Sequence, residues 1–150
     1  MQKIFREVIR NGDSYVFYAD TPEEDAREYW FGQGVRSFVA EDSSGILGMY
    51  KLIQNQRDRG SHVANASFMI HQKHRARGLG TLLGKHSLAE AKKSGFLAMQ
   101  FNFVISANIP AVRLWEKLGF FIAGTLPKAF RHEKLGLTDV YVMYRLLDDI

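Results

Sequence analysis

The feature that most constrains the fold is a basic, glycine-rich stretch between a predicted strand and a predicted helix. The run SHVANASFMI, residues 61–70, is typical of a strand, and HQKHRARGLGTLLGKHS, residues 71–87, follows it. Gly78 and Gly80 allow the backbone to turn and to bring its N–H groups close to a ligand. A helix predicted over 79–94 adds unpaired N–H groups and the positive end of a dipole. This order of elements predicts a phosphate or pyrophosphate site, with an ordinary solvated basic turn as the alternative.

Two common nucleotide motifs fail in this stretch. In the P-loop pattern G-x-x-x-x-G-K-[ST], the first glycine would fall at Leu79, and His86 stands where a hydroxyl should hold magnesium. In the dinucleotide pattern G-x-G-x-x-G, Leu83 takes the place of the third glycine. The sequence therefore argues against a nucleoside triphosphatase and against a dehydrogenase.

Composition narrows the remaining classes. The 150 residues, 46% of them hydrophobic, suit one globular domain over 1–150. The absence of cysteine excludes disulfides, thiolate metal sites and an acyl-cysteine intermediate, and the five histidines form no metal-binding pattern. His71 and His74 lie in a loop, and no carboxylate partner is expected for them. No apolar run suits a membrane span or a signal peptide, so a cytoplasmic location is expected.

The remaining segments predict an α/β domain with the element order ββαβββαβαββ. The expected elements are a hairpin of residues 4–9 and 14–19 turning at Asn11-Gly12, a helix capped by Thr21 with Glu24 in a capping box, a second hairpin of 35–41 and 46–54, a strand over 96–105, a short helix from Asn108 to Gly119, and strands over 120–126 and 139–147 around a polar loop at 127–138.

Arg75-Ala76-Arg77-Gly78-Leu79-Gly80 resembles the [QR]-x-x-G-x-[GA] signature of the GNAT superfamily of N-acetyltransferases. The segments VISANIPAVRLWEKLGFFIAGTL and DVYVMYRLL are similar to the superfamily's later elements, so the resemblance covers roughly residues 35–147. It implies a mixed, splayed sheet of about seven strands flanked by helices. It also implies acetyl-CoA as the co-substrate, no metal, and transfer of the acetyl group to an amine.

The resemblance implies a cofactor site between the strands 61–70 and 96–105. Backbone groups of Phe68, Met69 and Ile70 would pair with the pantetheine arm, and an N–H near Met69 would polarise the thioester carbonyl. The N–H groups from Arg75 to Thr81 would surround the pyrophosphate. Three cationic side chains would lie near the 3′-phosphate, and Asn108 would contact the pantetheine. The pyrophosphate residues include Arg75, Arg77, Gly78, Leu79, Gly80 and Thr81, and the 3′-phosphate side chains are Lys73, His74 and Arg77. Asn108 would also serve as a helix N-cap.

Without cysteine, the amine is expected to attack the thioester directly in a ternary complex. Many members of the superfamily supply a proton to the leaving sulfur from a tyrosine just before EKLGF, but here that residue is Trp115. Tyr141 and Tyr144 on the last strand are candidate substitute acids, although aromatic residues here are more typical of the core or its rim. Water or unassisted thiolate departure are the alternatives. His86 is expected to be a packed, hydrogen-bonded histidine.

Asn65 and Asn102 are polar residues in otherwise apolar strands, where an amide must find a partner. Either they tie neighbouring backbone together, or they face the cleft and hold the acceptor. Together with Asn108 and RLWEKLGF they resemble fungal acetyltransferases that act on proline analogues such as azetidine-2-carboxylate. That resemblance implies Asn65 and Asn102 as catalytic and substrate-orienting residues. In the polar loop, Phe130, Arg131 and His132 are candidates for the entrance, and Arg131 suits a carboxylate-bearing acceptor. The alternative is an ordinary solvated loop.

The leading hypothesis is therefore an N-acetyltransferase for a small amine, with neither nucleic acid nor membrane as a partner and with a homodimer left open. Acetylation of a protein N-terminus or lysine is a second hypothesis. A non-catalytic acyl-CoA sensor, which the missing tyrosine would allow, is a third. A nucleic-acid binder is disfavoured because the net charge is only +4 and no second basic face is evident.

Overall fold

The computed structural model describes all residues from 1 to 150 as four α-helices and six β-strands. They are α1 (Gln2–Arg10), α2 (Glu23–Phe31), β1 (Arg36–Asp42), β2 (Gly45–Gln54), β3 (Val63–Ile70), α3 (Leu79–Lys93), β4 (Ala98–Ile105), α4 (Ile109–Lys117), β5 (Phe121–His132) and β6 (Gly136–Leu146). None of the four helices has the length and apolar content that crossing a bilayer requires.

The strands form one mixed sheet in the order β1-β2-β3-β4-β6-β5. Only β3 and β4 are parallel neighbours, and they pair at two positions, Val63 with Ala98 and Ala64 with Met99. Beyond these pairs the two strands separate toward their carboxyl ends. The predicted α/β class and splayed sheet are thus confirmed, with six strands rather than about seven.

Helices cover both faces of the sheet. On one face α3 and α4 bury a large cluster that includes Tyr50, Met99 and Phe101. On the other face α1 and α2 pack over Met49 and Met69. Since successive strand residues point to opposite faces, odd-numbered residues of β2 and β3 face α1 and α2, and even-numbered ones face α3 and α4.

A glycine sets how closely α3 and α4 approach. A Cβ added at Gly84 would lie 2.5 Å from Leu118 Cδ1 and 3.2 Å from Trp115 Cζ3. Gly84, which belonged to the near-miss P-loop pattern, therefore serves helix packing rather than a phosphate.

The prediction of an N-terminal hairpin is wrong. Residues 2–10 form α1, because Ile4 and Val8, like Phe5 and Ile9, are four residues apart and share one buried helix face. Asn11 then caps the end of this helix, and residues 14–19 belong to no strand.

The predicted cap of α2 is also wrong. Pro22 occupies the N-cap position, and no side chain caps the helix. The Thr21 hydroxyl donates instead to the Tyr18 carbonyl at 2.7 Å. Three acidic residues in the first turn complement the helix dipole without a capping box.

The polar segment 127–138 is mostly strand rather than loop. β5 continues to His132, and only 133–135 separate it from β6. The register shifts between Leu126 and Phe130, where Lys128 has a φ of +52° and its N–H donates to Asp139 Oδ1 at 2.9 Å. This bulge disguises the strand, because it interrupts the alternation of apolar residues.

Candidate functional site

The separation of β3 from β4 opens a cleft of about 750 Å³. It is lined by β3 from 65 to 70, β4 from 101 to 105, the first turns of α4, the glycine loop, and residues 13–17 between α1 and α2. The structure thus brings part of the glycine loop, residues 75–81, and the strand residues Asn65 and Asn102 to one cavity.

The glycine loop has the shape of an anion cradle. Gly78 has a φ of +76°, and a Cβ at this position would meet no atom within 4 Å. Ala76 is also left-handed, with a φ of +61°. No side chain caps the start of α3, so its first N–H groups are available to a ligand. These features fit the pyrophosphate of CoA.

Contacts from α1 hold the start of this loop. The N–H of Gln72 donates to Glu7 Oε1 at 2.7 Å, and His71 Nε2 lies 3.4 Å from Glu7 Oε2. His71 therefore does have a carboxylate partner, contrary to the expectation from the sequence. The partner was missed because it belongs to a helix that was predicted as a strand.

The register of β3 determines which of its backbone groups reach the cleft. At one end of the strand pair, the N–H of His71 donates to the Leu47 carbonyl at 2.9 Å. At the other end, the N–H of Asn55 donates to the Val63 carbonyl at 2.8 Å. Because hydrogen-bonded and non-hydrogen-bonded pairs alternate between antiparallel strands, the intervening odd-numbered residues of β3, including Met69, also bond to β2. The prediction for Met69 is thus revised: the backbone groups directed to the cleft are those of Ala66, Phe68 and Ile70.

Asn65 and Asn102 both line the cleft, but their amides differ in hydrogen bonding. Asn65 is half-buried, and its side chain makes no hydrogen bond to another protein group. Asn102 donates to Asn55 Oδ1 at 2.7 Å and accepts from Gln100 Nε2 at 2.8 Å. Asn65 therefore has its full capacity for a ligand, whereas Asn102 has part of it.

Asn108 combines the two roles considered for it. Its side chain accepts from the N–H of Ala111 at 3.4 Å as the N-cap of α4, and the residue lines the cleft.

Trp115 replaces the usual tyrosine with a core side chain. It is 8% exposed, and its ring centroid lies 4.7 Å from those of Phe68 and Phe101. Tyr141 pairs with Val104 and Thr125 and does not line the cleft, and neither does Tyr144. His86 is exposed, and its Nδ1 lies 2.7 Å from the Tyr50 hydroxyl, so it is hydrogen-bonded as expected.

The structure separates the three candidates from residues 130–132. Phe130 is 6% exposed, packed with Ile105 and Val140, and Arg131 is exposed outside the cleft. Only His132 lines the cleft. Its Nδ1 accepts N–H bonds from Lys134 at 3.1 Å and Leu135 at 3.2 Å, so the neutral ring carries its proton on Nε2 and acts as a donor.

Sequence reasoning missed a polar group around two cleft tyrosines. The hydroxyl of Tyr15 donates to the Phe68 carbonyl, and that of Tyr29 donates to Ser67 Oγ at 2.7 Å. Lys51 is 7% exposed, and its Nζ lies 2.8 Å from the Tyr29 carbonyl and 3.2 Å from the centre of the Tyr29 ring. The sequence did contain a signal for Lys51, because it is a polar residue inside the apolar strand GMYKLIQ, just as Asn65 is polar inside an apolar strand. It contained no signal for Tyr15, because the segment around Tyr15 was interpreted as a strand.

Burial shifts the pKa values of this group. It lowers the pKa of Lys51 to about 8. It raises the pKa of Tyr29, and it raises that of Tyr15 well above the ordinary range, with the nearby Tyr29 adding to the effect. Both tyrosines are therefore protonated donors at neutral pH, and Lys51 is mainly charged.

The free energy of unfolding is expected to rise by about 2 kcal/mol between pH 7.5 and pH 10 because of Lys51. In this range the unfolded chain keeps the lysine proton, whose ordinary pKa is 10.5, while the folded chain releases it near pH 8. The unfolded state therefore binds more protons, and raising the pH favours the folded state. Above pH 10 the raised pKa values of Tyr15 and Tyr29 act in the opposite direction. Urea unfolding of the wild type and of Lys51→Met measures the difference, and equal pH dependence in both proteins would refute it.

Comparison with known proteins identifies the family of this chain. The family model described as acetyltransferase (GNAT) family matches residues 5–120. The N-acetyltransferase aca1 of Schizosaccharomyces pombe is 36% identical over 102 residues, which are 66% of this chain and 48% of aca1. This chain thus matches about half the length of that relative.

Two solved structures share the fold. A GCN5-related N-acetyltransferase from Kribbella flavida is 38% identical, with a TM-score of 0.91 over 97% of this chain and 89% of the other. The putative acetyltransferase yncA of Salmonella typhimurium, solved with acetyl-CoA, is 23% identical, with a TM-score of 0.83 over 99% and 87% of the two chains. The match to the family model, which spans most of this chain, shows that it belongs to the acetyltransferase (GNAT) family.

Proposed function

We propose that this acetyltransferase uses acetyl-CoA to acetylate the nitrogen of a small, amino-acid-like acceptor, with cyclic imino acids favoured. The observation that carries the proposal is the cleft itself. Backbone groups of one strand and an uncapped helix start suit the donor, and the unpaired amide of Asn65 on the same strand suits a small polar acceptor.

On the donor side, the backbone of Phe68 and Ile70 would pair with the pantetheine arm. The N–H groups from Arg75 to Thr81 would hold the pyrophosphate, because the left-handed Gly78 and the open start of α3 direct donors to one point. Acetyl-CoA supplies an activated thioester, so the protein needs only to orient the amine and manage protons. These assignments rest on the fit of the loop and on family membership.

On the acceptor side, Asn65 is proposed to hold the acceptor near its reacting nitrogen, and Asn102 to assist from β4. The Asn65, Asn102 and Asn108 triplet, with Trp115 in place of tyrosine, resembles the fungal enzymes for proline analogues, and aca1 is itself a fungal N-acetyltransferase. An amide acts here by orientation, since it cannot remove a proton.

The proton for the leaving sulfur is proposed to come from a cleft hydroxyl or from solvent. Tyr15 lines the cleft and Tyr141 does not. The raised pKa of Tyr15 keeps its hydroxyl protonated, which suits an acid rather than a base. In this role the hydroxyl would turn its proton from the Phe68 carbonyl, which it now contacts, to the sulfur.

An acetylation screen tests the proposed function. Purified protein, acetyl-CoA and a panel of proline analogues, amino acids, polyamines and aminoglycosides are expected to release CoA with an α-amino or imino acid, and mass spectrometry should detect the N-acetyl product. CoA binding without turnover on any amine would favour the sensor hypothesis. Faster acetylation of peptides than of amino acids would favour a protein acetyltransferase.

The cytoplasmic location, the single domain and the homodimer stay predictions.

The proposed place of Arg77 predicts a selective loss of affinity. Arg77→Ala should raise the Kd for CoA about fivefold, roughly 1 kcal/mol for an exposed charge pair. Dephospho-CoA, which lacks the 3′-phosphate, should bind both proteins equally. Isothermal titration calorimetry checks this, with Arg113→Ala on the exposed side of α4 as the matched control. An equal loss for both ligands would place Arg77 elsewhere on the cofactor or in the fold.

A further inference from the structure

Lys51 is a buried cation without a carboxylate partner. Its side chain lies between β2 and α2, and no acidic group forms a salt bridge with it. Its ammonium donates to the Tyr29 carbonyl in the last turn of α2, and it lies over the Tyr29 ring. A carbonyl and a ring face stabilise the charge but do not neutralise it.

The register of the sheet places Lys51 next to a cleft-lining residue of β3. Lys51 is the register partner of Ser67, so the two side chains are neighbours on the same face of the sheet. Ser67 lines the cleft, whereas Lys51 lies behind it.

The hydrogen bonds around Ser67 leave a donor free for a ligand. Ser67 Oγ accepts the hydroxyl proton of Tyr29, so its own hydrogen is free to point into the cleft. Asn65 lies two residues away on the same face of β3, with an unpaired amide. The spacing of alternate strand residues, about 7 Å, matches the width of a small amino acid with its hydrogen bonds.

The charged residues that line the cleft define its polarity. Asp13 is the one acidic residue in the lining, and it lies on the segment between α1 and α2. Arg75 belongs to the phosphate loop and His132 to β5. The only buried positive charge next to the acceptor region is therefore that of Lys51.

We propose that Ser67, backed by the ammonium of Lys51, forms a subsite for the carboxylate of the acceptor. The enzyme then selects amines that carry an acid group close to the reacting nitrogen. This inference deepens the proposed function and rests on it. It assigns the carboxylate to this subsite rather than to Arg131, which lies outside the cleft.

Acceptor pairs that differ only in the acid group test the subsite. At saturating acetyl-CoA, kcat/KM is measured for an amino acid and for its carboxamide, and likewise for proline and prolinamide. Ser67→Ala is expected to lower kcat/KM for the acid about tenfold, mainly through KM, because a hydrogen bond to a charged group is lost. Lys51→Met should lower it by a similar factor, because the positive charge behind the subsite is removed. For the carboxamide, Lys51→Met should stay within twofold of the wild type. Ser67→Ala should lower kcat/KM about threefold, because the amide oxygen still accepts the Ser67 hydroxyl in a weaker, neutral hydrogen bond. The KM for acetyl-CoA should not change.

Matched controls and a binding measurement complete the design. Lys93→Met and Ser43→Ala change exposed residues far from the cleft and should leave both acceptors unaffected. If Lys51→Met does not fold, the acid and the carboxamide are compared with Ser67→Ala alone. Calorimetric titration of the acid acceptor into the enzyme–CoA complex should show the same tenfold loss in affinity.

Each outcome bears on a different conclusion. Equal losses for acid and carboxamide, or no loss for either, would overturn the subsite while leaving the acetyltransferase proposal intact. Absence of CoA release with every acceptor would overturn the proposed function and the subsite together.

Discussion

Replacing Asn65 with alanine is expected to lower kcat/KM for the acceptor about 100-fold, while the Kd for acetyl-CoA stays within twofold. The amide of Asn65 is half-buried in the cleft, and no protein group uses its hydrogen-bonding capacity. Its proposed role is to orient the acceptor, and a displacement of about 1 Å in a reacting group costs about two orders of magnitude in rate. Steady-state kinetics and calorimetry with acetyl-CoA measure the two quantities.

Asn65→Leu and Asn102→Ala serve as comparisons. Leucine keeps the approximate shape of the side chain but has no hydrogen-bonding group, so it separates hydrogen bonding from packing and should lose as much activity as alanine. Asn102→Ala should cost only about tenfold, because Asn55 and Gln100 already share its amide. If Asn65→Ala weakens acetyl-CoA binding as much as turnover, the residue belongs to the donor site or to the fold.

Replacing Trp115 with alanine is expected to lower the free energy of unfolding by about 4 kcal/mol, the usual cost of removing a buried tryptophan. The indole joins three parts of the core, since it contacts Phe68 on β3, Phe101 on β4 and the close approach of α3 at Gly84. A cavity at this position would loosen the two strands just where they separate.

Urea denaturation measures this effect, and Trp115→Phe is the graded control. Phenylalanine retains an aromatic ring and should cost less than half as much. Trp30→Ala, on α2 at a position that is 2% exposed, tests whether the cost is general for buried tryptophans. A loss below about 1 kcal/mol for Trp115→Ala would show that the indole is not a structural anchor.

Local patterns predicted the glycine loop and α3 well. The glycine loop and α3 depend on residues that are adjacent in the chain, so Gly78 and Leu79 were sufficient to indicate them. The family resemblance rests on the same contiguous segments.

The proposed acceptor side of the cleft depends on contacts between distant segments, and there the sequence was less informative. Ile4 and Phe5 begin a run that suits a strand or a helix, and packing against Met49 and Met69 decides for the helix. That error concealed Tyr15, which reaches the cleft from the segment after α1. The bulge at Lys128 similarly concealed that β5 buries Phe130 and directs only His132 to the cleft.

The alternation of β3 has a consequence for how such enzymes diversify. Even-numbered residues are proposed to offer backbone groups to the donor, and a backbone group is the same whatever the side chain. The odd-numbered residues Asn65 and Ser67 are proposed to offer side chains to the acceptor from the same eight-residue strand. Point mutations at the odd positions can therefore change the acceptor without altering the proposed donor site. A new substrate specificity then does not require a new cofactor site.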